Sequence, residues 1–424
     1  MTKTVMMNKT MQTSEAKFFC RHCKSEQSVP FIDLGFAPPS NAYLTKEKLF
    51  EPEIYYPLRV NVCQSCWLVQ TEDFAKSNEL FTDDYAYFSS TSISWLEHSK
   101  QFAKFIVERL NLTSESLVIE VGSNDGYLLQ NFLKLSINCL GIEPTIKTAK
   151  AAKLLGIKVV EDFFTESLAD KLINDVGKAD LIVGNNVYAH VPDINNFTRG
   201  IKKLLKSEGV VTFEFPHILN MIEFSQFDTI YHEHFSYFSL HAVINVFNSF
   251  GLKIYDVEKI STHGGSLRIY GCHKESRKEI LETVDGVLKE ELLKNITNEK
   301  GYVNFQKKSD AIKNQLLNFL LEIKKNSNTV AAYGAAAKGN TILNYAGVKP
   351  DLLPVIYDAA PSKQGKFMPG SHIPIAHPDE LMRQPPEFII VLPWNIGNEI
   401  SNQLSEIKKR GSKIVSFIPN IKYL

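Results

Sequence analysis

The stretch Leu117-Val-Ile-Glu-Val-Gly-Ser-Asn-Asp-Gly-Tyr-Leu-Leu129 constrains the fold more than any other in the chain. An apolar run that closes on an acid and then breaks into glycines is how a buried parallel strand turns into a helix. It leaves Gly122 and Gly126 where a ligand can approach backbone. A second apolar run, Cys139-Leu-Gly-Ile-Glu143, ends on another acid, at the distance where a second strand would set a carboxylate against the ribose hydroxyls of the same ligand. Apolar runs at 158–160, 179–187 and 209–215 continue the strand–helix rhythm of a parallel doubly wound sheet, and runs at 253–257 and 266–271 would close it antiparallel.

A nicotinamide fingerprint, G-x-G-x-x-G, would need glycines at Asn124 and Tyr127, so a pyrophosphate would find no glycine floor. What stands there, E-x-G-x-N-x-G, resembles the first motif of the class I S-adenosylmethionine-dependent methyltransferases. That resemblance implies a cofactor loop of Glu120, Gly122, Asn124, Asp125 and Gly126, with Glu143 as the ribose-binding acid, Asp162 against adenine and Asn186 completing the set. The plain alternative is an ordinary strand–helix corner, and three correctly ordered parts argue against it.

Lys plus Arg and Asp plus Glu number 47 each, so no global field steers the chain to nucleic acid or to an anionic membrane. With 424 residues it should hold two or three domains. No apolar segment approaches the roughly 18 residues of a membrane helix and no signal peptide opens the chain, so a cytoplasmic protein is expected. Residues 1–17 read as a disordered leader. In a cytosolic chain, cysteines are metal ligands or buried thiols rather than disulfides. Cys20-Arg-His-Cys23 and Cys63-Gln-Ser-Cys66 supply the four soft ligands of a closed, structural zinc site, and the segment Phe31–Tyr43 between them reads as an inserted loop. His22 is expected to be a solvated knuckle residue, and Cys139 and Cys272 buried small hydrophobes.

From Phe74 to Leu110 the pattern turns helical, after an irregular tyrosine-rich stretch at 83–90 that could line a substrate pocket. His190 sits just past the fourth strand, where open α/β sheets bind ligands. Beyond the fifth strand, Tyr231-His-Glu-His234 gathers the groups needed for proton transfer near neutral pH. Residues 275–326 read as a charged helical connection with apolar stripes at Leu281, Val284, Leu288 and Leu292, then Ile312, Leu316, Leu317 and Leu320. A second doubly wound unit follows, with strands at 329–333, 353–357, 388–392 and 413–417. Its first turn, Gly334–Thr341, places Lys338 at a helix N-terminus suited to a phosphate, and Asp358 ends its second strand.

Together the two C-x-x-C pairs, E-x-G-S-N-D-G, N-x-Y-A-H, Y-H-E-H-F-S-Y, H-G-G-S-L-R and Y-G-A-A-A-K-G-N resemble the nucleotide-sugar C-methyltransferases, of the C-3 type of deoxysugar biosynthesis. The resemblance implies an α/β protein of three parts after the leader. These are a zinc-binding domain over 18–80, a class I methyltransferase domain over 81–275, and a helical connection with a C-terminal Rossmann-like domain over 276–424. It implies S-adenosylmethionine and structural Zn2+ as cofactors and a nucleotide-diphosphate 4-keto-6-deoxy sugar as substrate, thymidine diphosphate favoured. A monomer or weak homodimer with no nucleic-acid or membrane partner is expected. Tyr231, Glu233, His234, His190 and Tyr85 would surround the sugar, and Lys338, Asn340, Thr341 and Asp358 would bind the rest of the substrate. Within that reading His234 is the base that removes the C3 proton, Tyr231 and His190 steady the C4 enolate oxygen, and Glu233 orients a histidine or binds a sugar hydroxyl. Rival expectations are a sugar O- or N-methyltransferase, a nicotinamide-dependent sugar oxidoreductase and a non-catalytic zinc-bearing module.

Overall fold

A computed structural model describes residues 18–74, 80 and 88–424. The leader and Tyr85 lie outside them. The first sheet is antiparallel, with β1 (Ser28–Ala37) on β2 (Tyr56–Cys63) and β2 on β3 (Val69–Thr71). The expected loop at Phe31–Tyr43 is therefore half strand: Phe31, Ile32 and Leu34 are buried, and only the residues from Pro38 onward leave the sheet. Both cysteine pairs lie in tight turns, the second of them in the hairpin between β2 and β3.

The long helix Ile93–Leu110 buries Trp95, Phe102 and Ile106, and Ser92 caps it by accepting from Trp95 N. Most of the expected helical span between Phe74 and Phe88 lies outside the described residues. The central sheet follows, from β4 (Leu117–Val121), β5 (Asn138–Ile142), β6 (Lys158–Val160), β7 (Ala179–Asn185) and β8 (Leu205–Pro216). The two-residue strand β9 (Ser236–Tyr237) leaves this unit to pair with β3, which makes the first sheet four-stranded. A hairpin of β10 (Leu252–Ile260) and β11 (Ser266–His273) completes the central order β10-β11-β8-β7-β4-β5-β6. β4 through β8 run parallel, β11 runs against them and β10 runs against β11. The strand order reverses between β4 and β7. A crevice at that switch point is where such sheets bind ligands.

One expected stripe is displaced. In the helix Glu282–Leu293 the buried positions are Val284, Val287 and Glu291, whereas Leu281 and Leu292 are exposed. Glu291 takes the core position because it does polar work. Its carboxylate accepts from Leu240 N (2.6 Å) and His241 N (3.0 Å) at the start of the helix Leu240–Ser249, and pairs with His217 Nε2 (2.6 Å). A buried charge is tolerable when a helix N-terminus and hydrogen-bond donors meet it.

The last sheet carries β12 (Val330–Tyr333), β13 (Ile356–Tyr357), β14 (Ile375–Ala376), β15 (Phe388–Val391), β16 (Lys413–Ser416) and β17 (Lys422–Tyr423), ordered β14-β13-β12-β15-β16-β17. The helix Phe305–Lys325 buries Ile312, Leu316 and Leu320, as the second stripe requires. Its Phe305 stacks on Phe31 of β1 with ring centroids 4.4 Å apart, so the first sheet shares one apolar core with the last. Cys20, Cys63, Cys66 and Leu68 pack instead into the core of the central sheet with Phe238 and Val243. The cysteine-bearing unit is thus wedged against both neighbours. Among the described residues, no helix is long and apolar enough to cross a membrane.

Candidate active site

The sulfur atoms of Cys20, Cys23, Cys63 and Cys66 all lie within 4.8 Å of one another, with Cys20–Cys66 and Cys23–Cys63 at 3.5 Å. A tetrahedral zinc with bonds of about 2.3 Å needs sulfurs about 3.8 Å apart, which this set can supply. Left to themselves the thiols cannot all ionise. Hydrogen bonds from Cys20 and Cys66 pull the Cys63 thiol down, and the Cys20 thiol is pushed up to about 12. A divalent cation would hold all four as thiolates with no open position, which makes this a structural site. His22 is not solvated, as its place in the knuckle suggested. It is buried, with Nδ1 against Asn195 Oδ1 at 2.9 Å.

The second centre is the β4 loop. Gly122 (φ +67°) and Gly126 (φ +81°) adopt left-handed backbone, and a Cβ at Gly122 would stand 2.1 Å from the Val187 side chain beyond β7. The close approach of the two loops therefore requires glycine there. Around this junction a set of buried polar atoms has no hydrogen-bond partner: both oxygens of Glu120, Ser123 Oγ, Asp125 Oδ1, and both side-chain polar atoms of Asn185. Burial pushes the Glu120 carboxyl well above the usual range. Unmet polar groups of this kind cost free energy unless a ligand answers them. An amino-acid tail with its ammonium and carboxylate does so, and the set fits S-adenosylmethionine.

Several predicted cofactor residues have structural duties as well. Glu143 is buried, accepting from Asn124 N and Thr145 N at 2.9 Å each and from the Thr145 hydroxyl. A carboxylate has about four acceptor sites, so ribose hydroxyls can still be met. Asn124 Oδ1 and Asp125 Oδ2 accept from Ser89 N (2.9 Å) and Ser90 N (3.0 Å), and so hold the end of the tyrosine-rich stretch over the loop. Asp162 is exposed beyond β6 and accepts from Phe163 N at 2.8 Å. Asn186, in left-handed backbone, donates its N–H to Glu214 O at 2.8 Å. The preceding Asn185 ends β7 with its amide buried and unpaired, so it is the more natural ligand residue. An N-N pair does not reveal in sequence which side chain turns inward. Glu143→Ala should weaken S-adenosylmethionine binding by about 1–3 kcal/mol, the scale for losing hydrogen bonds to a charged group. Unchanged affinity by calorimetry in a folded variant would remove Glu143 from the site.

Past the ends of β7 and β8 the structure brings His190, Tyr231, Glu233 and His234 together. The imidazole centroids of His190 and His234 are 4.7 Å apart, and the Tyr231 ring lies 3.9 Å from that of His234. His190 Nδ1 meets Glu233 O at 2.7 Å and His234 Nδ1 meets Thr229 O at 2.8 Å. A carbonyl only accepts, so both rings carry their proton on Nδ1. Burial lowers His190 to about 4 and His234 well below its ordinary value, and the closeness of the two rings further opposes protonating both. Two neutral imidazoles with Nε2 as acceptor result. That tautomer does not fit the expectation that His190 donates to an enolate oxygen. Tyr231 is the hydroxyl donor of the two candidates. Nor does the Glu233 carboxylate orient a histidine: it accepts from Asn41 N (3.2 Å) and Nδ2 (3.0 Å), leaving Oε2 buried and unpaired, while its main-chain carbonyl orients His190.

Asn41 belongs to the segment Pro38–Tyr43, which enters from the first sheet, and the Tyr43 hydroxyl donates to Ala335 O (2.6 Å) in the last domain. Sequence reading missed this bridge, although the consecutive prolines at 38 and 39 signal a stiff, extended segment. The turn at 334–341 differs from its sequence-based reading. Asp358 accepts from Ala335 N (2.7 Å) and Ala360 N (2.8 Å), so a carboxylate of the chain already takes up amides offered to a phosphate. The Thr341 hydroxyl is tied to Ile230 O at 2.8 Å. Asn340 is fully buried with both side-chain polar atoms unpaired. Lys338 lies 4.6 Å over the Trp394 ring, with Nζ on Asn395 Oδ1 at 3.0 Å, and burial lowers it to about 8. Its charge acts on His234, His263 and Asp228, the last a buried acid raised to about 7 that accepts from Trp394 Nε1 at 2.7 Å. Lys338 therefore faces the histidine cluster.

Three family models match in succession: a putative zinc binding domain over residues 20–81, a methyltransferase domain over 95–257, and a C-methyltransferase C-terminal domain over 261–419. C-methyltransferase NovU of Streptomyces niveus is 31% identical over 400 residues, covering 94% of this chain and 95% of that protein. The chain belongs to the C-methyltransferases. Its methyl donor is S-adenosylmethionine and its zinc is structural, in keeping with the matched domains and the four-cysteine cluster. Among solved structures, this C-methyltransferase is similar to magnesium protoporphyrin IX methyltransferase from Synechocystis with bound SAM (12% identity, TM-score 0.35, covering 48% of this chain and 100% of that one). A SAM-dependent methyltransferase from Anabaena variabilis gives 12% identity and a TM-score of 0.36, over 47% of this chain and 96% of that one.

Proposed function

We propose that the C-methyltransferase removes the C3 proton of a nucleotide-diphosphate-linked 4-keto-6-deoxy sugar, thymidine diphosphate favoured, and methylates the resulting enolate in branched-chain deoxysugar biosynthesis. The carrying observation is the neutral His234, its Nδ1 proton given to Thr229 O at 2.8 Å and its Nε2 therefore the acceptor, with its ring centroid 3.9 Å from that of Tyr231. A carbon accepts an electrophilic methyl only as a carbanion equivalent, and a neighbouring ketone lets that charge rest on oxygen. His234 Nε2 takes the C3 proton. Tyr231 donates to the C4 oxygen as negative charge develops there, and the Lys338 cation lowers its cost. His190, neutral, accepts from a sugar hydroxyl, and the unpaired Glu233 Oε2 and Asn340 amide provide further polar contacts.

Glu120, Asp125 and Asn185 would hold the tail of S-adenosylmethionine, Glu143 its ribose and Asp162 its adenine; when bound, it supplies the electrophilic methyl. Lys338 would also find in the substrate diphosphate the anionic partner its burial calls for. The sugar class rests on the motifs shared with nucleotide-sugar C-methyltransferases. The reading places the enzyme in the cytoplasm, where the four thiols remain reduced for metal. Incubation with S-adenosylmethionine and a panel of 4-keto-6-deoxy sugar nucleotides tests it. Mass spectrometry should show one added CH2 and carbon NMR a new C–CH3, and an O–CH3 or N–CH3 product would overturn it.

A further inference from the structure

We propose that Arg21, set between two zinc thiolates, is a positioning residue of the active site: from inside the knuckle it holds the His190 and His234 segments in register. The proposal rests on the reading that these two histidines act on the substrate. The Arg21 side chain is only 4% exposed; both terminal nitrogens are bonded, while Nε is buried without a partner. Nη1 donates to Pro192 O (3.0 Å), two residues beyond His190. Nη2 donates to Thr71 O and Asp73 Oδ1, both at 2.9 Å. The guanidinium carbon lies 5.4 Å from the ring centroid of Phe235, the residue after His234.

Those acceptors close a circuit. Thr71 N donates to Phe235 O (3.2 Å), and the Thr71 hydroxyl donates to His234 O (3.1 Å). Phe235 N donates to Ala189 O (2.8 Å), which joins the two histidine segments directly. Next door, Asn195 pairs with His22 twice, through Nδ1 at 2.9 Å and O at 2.8 Å, and Asp193 caps the helix Ile194–Leu204 through Asn196 N. The knuckle thus grips residues 192–195 at two points, just after His190. A planar fork with fixed donor directions suits this task in a way that an ammonium does not. A purely local role would be met by Thr71 and Asp73 alone. The bond to Pro192 reaches outside both the metal turn and the first sheet, and together with the contact to Phe235 it fixes where His190 stands relative to His234.

The test is Arg21→Met in the full-length protein, which keeps the apolar stem and deletes the donors. Zinc content and calorimetric affinity for S-adenosylhomocysteine should match the parent, since neither set of ligands is touched. Nitrogen-15 NMR of the imidazoles should show His190 and His234 as Nδ1–H tautomers in the parent and an averaged tautomer for His190 in the variant. With a 4-keto-6-deoxy sugar nucleotide, kcat should fall by about tenfold or more, the scale of misplacement near 1 Å, with KM little changed. Arg21→Lys should restore part of both signals. Parental imidazole signals in folded, zinc-bearing Arg21→Met would overturn the proposal. If no such sugar is methylated even by the parent, the functional reading fails while the NMR comparison still decides the role of Arg21. Should Arg21→Met not fold, Arg21→Lys carries the test, because lysine brings one nitrogen where Arg21 uses two in a fixed fork: a shifted His190 signal supports the proposal and a parental one overturns it.

Discussion

His234→Gln is expected to lower methylation by about 10²- to 10⁴-fold, the usual contribution of a general base, while both ligands still bind. Glutamine can keep a donor near Thr229 O but offers no basic nitrogen. The slower exchange of the C3 hydrogen in deuterated water should fall in parallel, because exchange needs the proton transfer and not the methyl. Nε2 of His234 is ready for this work because Thr229 O fixes the proton on Nδ1 and burial keeps the ring neutral. A loss of less than about tenfold would make His234 a positioning group. Full exchange in the variant would move the base elsewhere. His190 is then the next residue to examine, since its Nδ1 is likewise committed, to Glu233 O, and its ring centroid is 4.7 Å away.

The parts of this site visible in the sequence are those that short-range patterns fix. Period and punctuation located β4 through β8, because a buried parallel strand needs an unbroken apolar run and its ligand loop needs glycine at Gly122 and Gly126. The C-x-x-C pairs announced the metal for a similar reason: two thiolates on one tight turn have few other uses. What stayed hidden depends on contacts distant in sequence. Asn41 meets Glu233 across 192 positions and Arg21 meets Pro192 across 171, and neither has a local signature. Glu291 reads as a solvent position on an amphipathic helix until the N-terminus of the helix Leu240–Ser249 is laid against it. At the turn 334–341, small residues and a lysine suggested an anion site, but the anion that meets Ala335 N is the chain's own Asp358. Sequence shows that amides are on offer there, not which carboxylate reaches them first. The domain order is plain in the motifs, yet the sharing of a single core by the first and last sheets, through Phe31 and Phe305, is not.

Stripping the zinc should be the other large perturbation. Protein prepared without chelator should carry one zinc per chain, and Cys63→Ser or exhaustive chelation should cost it both the metal and methylation. Four-thiolate sites hold apparent binding free energies of about 10–16 kcal/mol in finger peptides, and that energy becomes folding energy wherever the ligands converge only in the folded state. Here they converge from two turns, 40 residues apart between Cys23 and Cys63, and the bare thiols oppose one another in ionisation. The damage should spread along specific contacts. Release of the first turn frees Arg21 from Pro192 O and His22 from Asn195, and loosening of the first sheet withdraws Asn41 from Glu233. The β4 loop draws its geometry from Glu143, Thr145 and Val187 of the central domain, so affinity for S-adenosylhomocysteine should survive in the full-length chain. Calorimetry and methyl transfer measured on one zinc-depleted sample separate the two effects. Full methylation without zinc, or the lack of stoichiometric metal in untreated protein, would sink this account of the four cysteines.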